Sequence, residues 1–368
     1  MDEQKSALKR KLEMVMNYEA DNTKEPKTKK KLDDDLKILD IRFSDDAYHS
    51  GETINDGIDT VVEAIQLNVP LSISLRANNI GDSHLIKIAK ALKDNKSVTY
   101  LDVSENKFTR EGLCSLIKLL SENKALKTLI FEDIQGVTID MRTIVPLLAN
   151  NSTLTVLNIG NVGLDLNDDF ENSESDEENY CGIGEIGMNV LSIILLVNTT
   201  LQELNLDRNS LGASITYIGQ VLQENKSLKK LSLSGNHIDN ANLKTIADSL
   251  RHNTSLEELD LSGNDISNEG VDTLITMLKT NITIRKINLE GNEKIDSNKL
   301  KEIGEILHLC NKLKKNCQAI SVILLHKNGI FKNSPIVPPD VLKKILSFTE
   351  DLSDEHSKPI IDKHLKIL

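Results

Sequence analysis

Leu256-Glu-Glu-Leu259-Asp-Leu261-Ser-Gly-Asn264-Asp-Ile266 stands 28 residues after Leu228-Lys-Lys-Leu231-Ser-Leu233-Ser-Gly-Asn236-His-Ile238. Both read L-x-x-L-x-L-x-x-N-x-[LI]. Leu201-Gln-Glu-Leu204-Asn-Leu206-Asp-Arg-Asn209-Ser-Leu211, 27 residues earlier, reads the same way. Working outward, Ile284, Ile287, Leu289 and Asn292 continue the pattern, and Val98, Leu101, Val103, Asn106 and Phe108 precede it. Ile73, Leu75, Asn78 and Ile80 form an earlier copy. Two copies keep the strand but lose the Asn: Leu126, Leu129, Phe131 with Ile134, and Leu154, Leu157, Ile159 with Val162. An amino-terminal copy is read from Leu36, Leu39 and Ile41, with Ser44 in place of Asn. Nine copies of a unit of about 28 residues define an internal repeat.

The L-x-L core alternates with period two, so each copy predicts a short strand with its aliphatic side chains turned inward. The Asn falls where the chain leaves the strand, where its amide can bond the turn backbone. Between strands, Leu243, Ile246, Ala247, Leu250 and then Val271, Leu274, Ile275, Leu278 keep the 3-4 spacing of an amphipathic helix. One strand and one helix cannot bury their own apolar faces, so neighbours must stack into an α/β solenoid.

This unit resembles the ribonuclease-inhibitor-type leucine-rich-repeat family over residues 32–310. The resemblance implies a horseshoe of about nine strand-helix repeats, with a parallel sheet on the concave side and helices on the convex side. It implies a structural role for Asn78, Asn106, Asn209, Asn236, Asn264 and Asn292. It does not fix a function, because proteins of this fold inhibit enzymes, sense ligands, activate GTPases or act as adaptors. N-x-[ST] acceptors at Asn95, Asn198, Asn225, Asn253 and Asn281 share one phase just after the helix, and Asn151 is read as displaced from it by one residue. All are expected to be structural, ending helices in the left-handed conformation.

The chain has 368 residues, 39% hydrophobic and 3% aromatic with no Trp, and a formal net charge of -12. That charge is the wrong sign for a phosphate-backbone binder, and the aromatic content is too low for base stacking, so no nucleic-acid partner is expected. The apolar run Val190–Val197 is too short to span a bilayer, and no signal-peptide core follows Met1. The expected location is cytoplasmic. Cys114, Cys181, Cys310 and Cys317 lack metal or disulfide spacing and are read as reduced thiols.

Three segments fall outside the repeat. Residues 1–31 are expected to form a helical cap and a basic linker, with Leu8, Leu12, Val15 and Met16 on one face. An acidic insertion occupies about residues 165–183. Residues 311–368 are expected to form a helical cap and tail. Within the tail, Val337-Pro338-Pro339-Asp340-Val341 with Ile345, Leu346 and Phe348 resembles the opening of an F-box, which implies a ubiquitin-ligase adaptor. The acidic and apolar end, Glu350 to Leu368, resembles the carboxy-terminal signals of type IV secretion effectors. That likeness implies a bacterial effector delivered into a host cytosol.

No nucleophile-base constellation, phosphate loop or metal motif is present, and the eight His residues are scattered. The expectation is a non-catalytic chain with no cofactor and no metal, acting as a monomer that binds a protein partner. The shared repeat also resembles that of Ran-type GTPase activators, and Arg76 and Arg208 lie near strand ends where such a role is geometrically allowed. The partner-binding residues expected on the outward strand face are Tyr100, Asp102, Ile130, Glu132, Val156, Asn158, Glu203, Asn205 and Asp207: an apolar centre with an acidic rim.

Overall fold

The computed structural model describes residues 38–40, 52–68, 72–134, 141–162, 183–281, 283–308 and 311. The expected cap at 1–31, the expected cap and tail at 311–368 apart from residue 311, the F-box-like and secretion-signal-like stretches, and the insertion through residue 182 lie outside these. Among the described residues, nine three-residue strands alternate with helices. The strands are β1 Ile38–Asp40, β2 Ser72–Ser74, β3 Tyr100–Asp102, β4 Thr128–Ile130, β5 Val156–Asn158, β6 Glu203–Asn205, β7 Lys230–Ser232, β8 Glu258–Asp260 and β9 Lys286–Asn288. The helices are α1 Glu52–Gln66, α2 Asp82–Leu92, α3 Arg110–Leu120, α4 Val145–Asn150, α5 Gly184–Val197, α6 Ile215–Glu224, α7 Asn240–Leu250, α8 Asn268–Leu278 and α9 at 297–308.

The described residues fall in two compact units. One runs to Ser214 and includes Leu231–Asn236; the other comprises Ile215–Lys230 and the chain from His237. In the first, β1 to β6 pair in parallel with equivalent repeat positions aligned, as in Leu101↔Leu129 and Leu157↔Leu204. Its ladder continues through Leu206 N–H to the Ser232 carbonyl at 3.0 Å. In the second, β8 pairs in parallel with β9, Leu259 opposite Ile287.

The core is mainly aliphatic, with Phe108 and Phe131 buried in it. Strand residues Leu101, Leu129, Leu157 and Leu259 are buried, as are Leu113, Leu116, Ile117 and Leu120 of α3 and Leu243, Ile246, Ala247 and Leu250 of α7. Neighbouring helices are locked by caps that cross the repeat boundary. Asp82, in the first turn of α2, accepts from Thr109 N–H at 2.6 Å, Thr109 O–H at 2.7 Å and Gly112 N–H at 3.0 Å at the start of α3. Residue 112 must be Gly for this approach, since a Cβ there would lie 2.4 Å from Asp82 Oδ1.

The repeat Asn residues reach further than a local turn. Asn106 Nδ2 donates to the carbonyls of Leu75, Val103 and Ser104, while its Oδ1 accepts from Asn78 N–H and Ile80 N–H in the preceding repeat. Asn236 likewise bridges to Leu206 and Asn209, Asn209 to Ile159 and Val162, and Asn292 to Leu261 and Ile266. Asn264 accepts from Ile238 N–H. Asn78 donates to the Arg76 carbonyl at 3.1 Å. Where Ile134 and Val162 replace Asn, both are buried and meet in an isolated parallel β-bridge.

A second asparagine series corrects two expectations. Asn95, Asn123, Asn151, Asn198, Asn225, Asn253 and Asn281 all stand three residues before the first apolar strand position, so Asn151 is in phase, not displaced. They do not end helices in the left-handed conformation: Asn151 has φ -82° and ψ 127°, and Asn198 has φ -73° and ψ 125°. None of the seven has positive φ, and in each Oδ1 accepts the backbone N–H groups two and three residues on, as from Thr153 and Leu154 to Asn151. Nδ2 donates backward across the repeat, from Asn151 to the carbonyls of Leu120 and Asn123. All seven are buried.

Candidate partner-binding face

The outward strand positions of the first unit form columns. Register places Ser74, Asp102, Ile130, Asn158 and Asn205 side by side, with Tyr100, Thr128, Val156 and Glu203 in the adjacent column. Ile130 and Val156 are half-buried, as are Tyr100, Glu132, Asn158, Glu203, Asn205 and Asp207. Asp102 departs from the expected exposure, at 6% of its surface accessible.

The polar members of the middle column are turned toward their own backbone. Asp102 Oδ1 accepts Ser104 N–H at 2.9 Å, Asn158 Oδ1 accepts Gly160 N–H at 3.0 Å and Asn205 Oδ1 accepts Asp207 N–H at 2.7 Å. An Asx acceptor at this position closes the strand end by satisfying the N–H two residues on. Burial pushes the Asp102 carboxyl above its ordinary range, opposed by the Ser104 hydrogen bonds and the Arg76 charge.

Beyond the strand ends lies a charge cluster. Arg76 donates through Nη1 to Glu132 and through Nη2 to Glu105, each at 2.5 Å, and stands 3.6 Å from Asp133. Partial burial works against its charge, but the bonds and attraction of Glu132 and Glu105 more than offset that and raise the guanidinium pKa. Glu132 also accepts from Asn158 Nδ2 at 2.7 Å, and Asp133 accepts from Asn161 Nδ2. Asp207 accepts from Ser232 O–H at 2.5 Å and Ser234 N–H at 2.8 Å. The acidic rim expected from sequence is therefore prepaired. Arg76, considered above for a GTPase role, is held among carboxylates. Arg208 is 67% exposed and lies 3.9 Å from Asp133.

Glu105, Asp133 and Arg208 of this cluster occupy an unusual backbone position. In every described copy the residue before the repeat Asn position has positive φ: Ala77, Glu105, Asp133, Asn161 and Arg208 lie between 50° and 56°, Gly235, Gly263 and Gly291 between 61° and 73°. Gly adopts this conformation without steric cost, whereas other residues carry strain there. In the first unit four of the five strained residues at this position, Glu105, Asp133, Asn161 and Arg208, belong to the cluster, and Ala77 does not. Sequence reasoning missed Glu105, Asp133 and Asn161. The signal was present in their shared phase with the three glycines. Arg208 lies across Gly235, whose absent Cβ would stand 3.2 Å from Arg208 Cγ.

Among the described residues no group of three or more His, Cys, Asp or Glu side chains is placed to hold a metal ion, and no helix is long and apolar enough to cross a membrane.

The leucine-rich repeat family matches residues 94–116, 197–215, 224–247 and 252–274. Leiomodin-1 of Mus musculus is 34% identical over 99 residues, covering 26% of this chain and 16% of its own. The leucine-rich repeat-containing protein AAC1 of Dictyostelium discoideum is 37% identical over 115 residues, covering 27% and 14%, and the Cep78 homolog of Drosophila melanogaster is 30% identical over 174 residues, covering 45% and 21%. The matched segments thus span about a fifth or less of these relatives' own length. Among solved structures, the leucine-rich repeat-containing protein LegL7 of Legionella pneumophila gives a TM-score of 0.44 at 18% identity, over 72% of this chain and 80% of that one. Leiomodin-1 actin-binding site 2 gives 0.31 at 23% identity, over 40% and 77%. Repeat motif, parallel strand ladders and matched segments together support a leucine-rich-repeat family for this chain, built as an α/β leucine-rich-repeat solenoid.

Proposed function

We propose that the first unit binds a protein partner on its outward strand face, without catalysis, around Ile130 and Val156. The observation that carries this reading is the pairing of two half-buried aliphatic side chains with a polar surround already satisfied by its own hydrogen bonds. A rim already ordered by its own hydrogen bonds loses little side-chain freedom when covered, which leaves the apolar centre to supply affinity. Tyr100 and Glu203 flank that centre through the register of β3 and β6. Action in a eukaryotic cytosol, as an adaptor or a delivered effector, is the setting proposed for this module.

Capture from eukaryotic lysate tests the reading, with wild type set against Ile130→Arg/Val156→Arg. The expected result is a partner retained by wild type and reduced at least tenfold by the variant, whose melting must match wild type. Equal capture by both sinks it. Arg208→Ala is expected to leave capture and the GTPase rate of captured small GTPases unchanged. A fall in that rate on Arg208→Ala supports the activator reading instead.

A further inference from the structure

Helix α5 is unlike the other helices in what it shows to solvent. Ile186 is 81% exposed, Ile193 60% and Val197 70%, with Leu196 at 39% beside them. The inner face holds Met188, Leu191, Ser192 and Leu195, packed toward α4 and the turn Met141–Thr143. The outer faces of α2 and α7 carry charges such as Lys87, Lys244 and Asp248. From Ile186 to Gln202 there is no Asp, Glu, Lys or Arg at all. The outward apolar residues Ile186, Val190, Ile193 and Val197 are spaced four, three and four apart, the narrow seam of a coiled coil rather than the broad stripe of a core-facing helix.

We infer that α5 is the contact between two copies of this chain, packed antiparallel about a two-fold axis that passes between Leu191 and Ser192. The spacing reads the same in both directions. The axis sets Ile186 against Val197 of the second copy and Val190 against Ile193, as a self-complementary interface requires. Charges beside a seam ordinarily choose partner and orientation, and here the flanking Asn189, Ile194 and Leu196 carry none, so nothing repels an identical helix. The exposed seam offers roughly 500 Å² of apolar surface, near the upper end of what a monomer leaves uncovered. Pairing buries about 1,000 Å², the low end for a specific interface, so the dimer is weak and reversible. The expected monomer is then the form at low concentration. This inference does not depend on the partner-binding reading, because α5 carries none of those residues.

Sedimentation equilibrium of the full chain, from low micromolar to hundreds of micromolar, tests it. Wild type is expected to move from one-chain to two-chain mass. Ile193→Glu alone and Val190→Lys alone, each with unchanged melting, are expected to stay at one-chain mass. An equimolar mixture of the two variants is expected to regain two-chain mass, because each Glu meets a Lys across the axis. Wild type that stays at one-chain mass throughout overturns the proposal, whether the seam is then covered by another segment of the chain or by a different protein. So does association that survives both single substitutions. A mixture that fails to recover overturns the antiparallel pairing.

Discussion

Asp102 and Asn106 show how much a single side chain in this repeat is asked to do. Asp102 stands where Asn158 and Asn205 stand in other repeats and performs the same strand-end acceptance, but it does so as a buried carboxyl. Its folded pKa is raised by burial, so the folded chain binds that proton more tightly than the unfolded chain. Stability therefore falls as pH rises from the ordinary Asp range through the raised value. Asp102→Asn keeps the acceptor and removes the charge. Its melting temperature is expected to exceed wild type by roughly 1–3 °C at neutral pH, and the difference should vanish below the ordinary Asp range in a pH series of thermal melts. Asn106→Ala acts in the opposite sense. It strands buried N–H groups of Asn78 and Ile80 and leaves the Leu75 carbonyl without this donor, at a cost of about 3 kcal/mol or more by urea denaturation.

The turn after each strand differs in its residues from copy to copy. Position by position the backbone is the same, with positive φ in every described copy from Ala77 to Gly291, yet only the last three copies use Gly. Ala77 contributes no side-chain bond that Gly would lose. Ala77→Gly is thus expected to raise stability by about 1 kcal/mol, whereas Gly291→Ala, at φ 73° and 3.3 Å from Gly263 N, is expected to lower it by 1 kcal/mol or more. Chemical denaturation of both variants reads the signs directly. At this scale the sequence was legible in its strands, because L-x-L spacing determines which side chains turn inward. It was not legible in its turns: an Asn on an outward strand position looks like any solvated polar residue, and its role as a backbone acceptor is visible only once the turn is built. Arg76 finds Glu105 and Glu132 across 29 and 56 residues, contacts that follow from the repeat period but not from local pattern.

Among the described copies, the Asn ladder is broken twice, at Ile134 and Val162, both in the first unit. Solenoid stability is close to a sum over repeats and their boundaries, so weak links open locally. Amide exchange is expected to be faster for residues 128–134 and 156–162 than for 258–264, where Asn264 and Asn292 are both in place. Protection that is uniform across these stretches counts against the ladder as the main tie between repeats. The number of repeats and their register could be read from the apolar positions alone. The division into two units could not, since both use the same apolar code.

The buried asparagines that close each helix-to-strand connection also bear on how the chain must be made. Asn95, Asn151, Asn198, Asn225, Asn253 and Asn281 each begin an N-x-[ST] triplet, and each uses its amide nitrogen as a donor or is shut away from solvent in the finished fold. A sugar transferred to that nitrogen during synthesis would wedge two neighbouring repeats apart before they could close. Biogenesis in a glycosylating lumen would thus set the modifying enzyme in direct competition with folding at six places along one polypeptide.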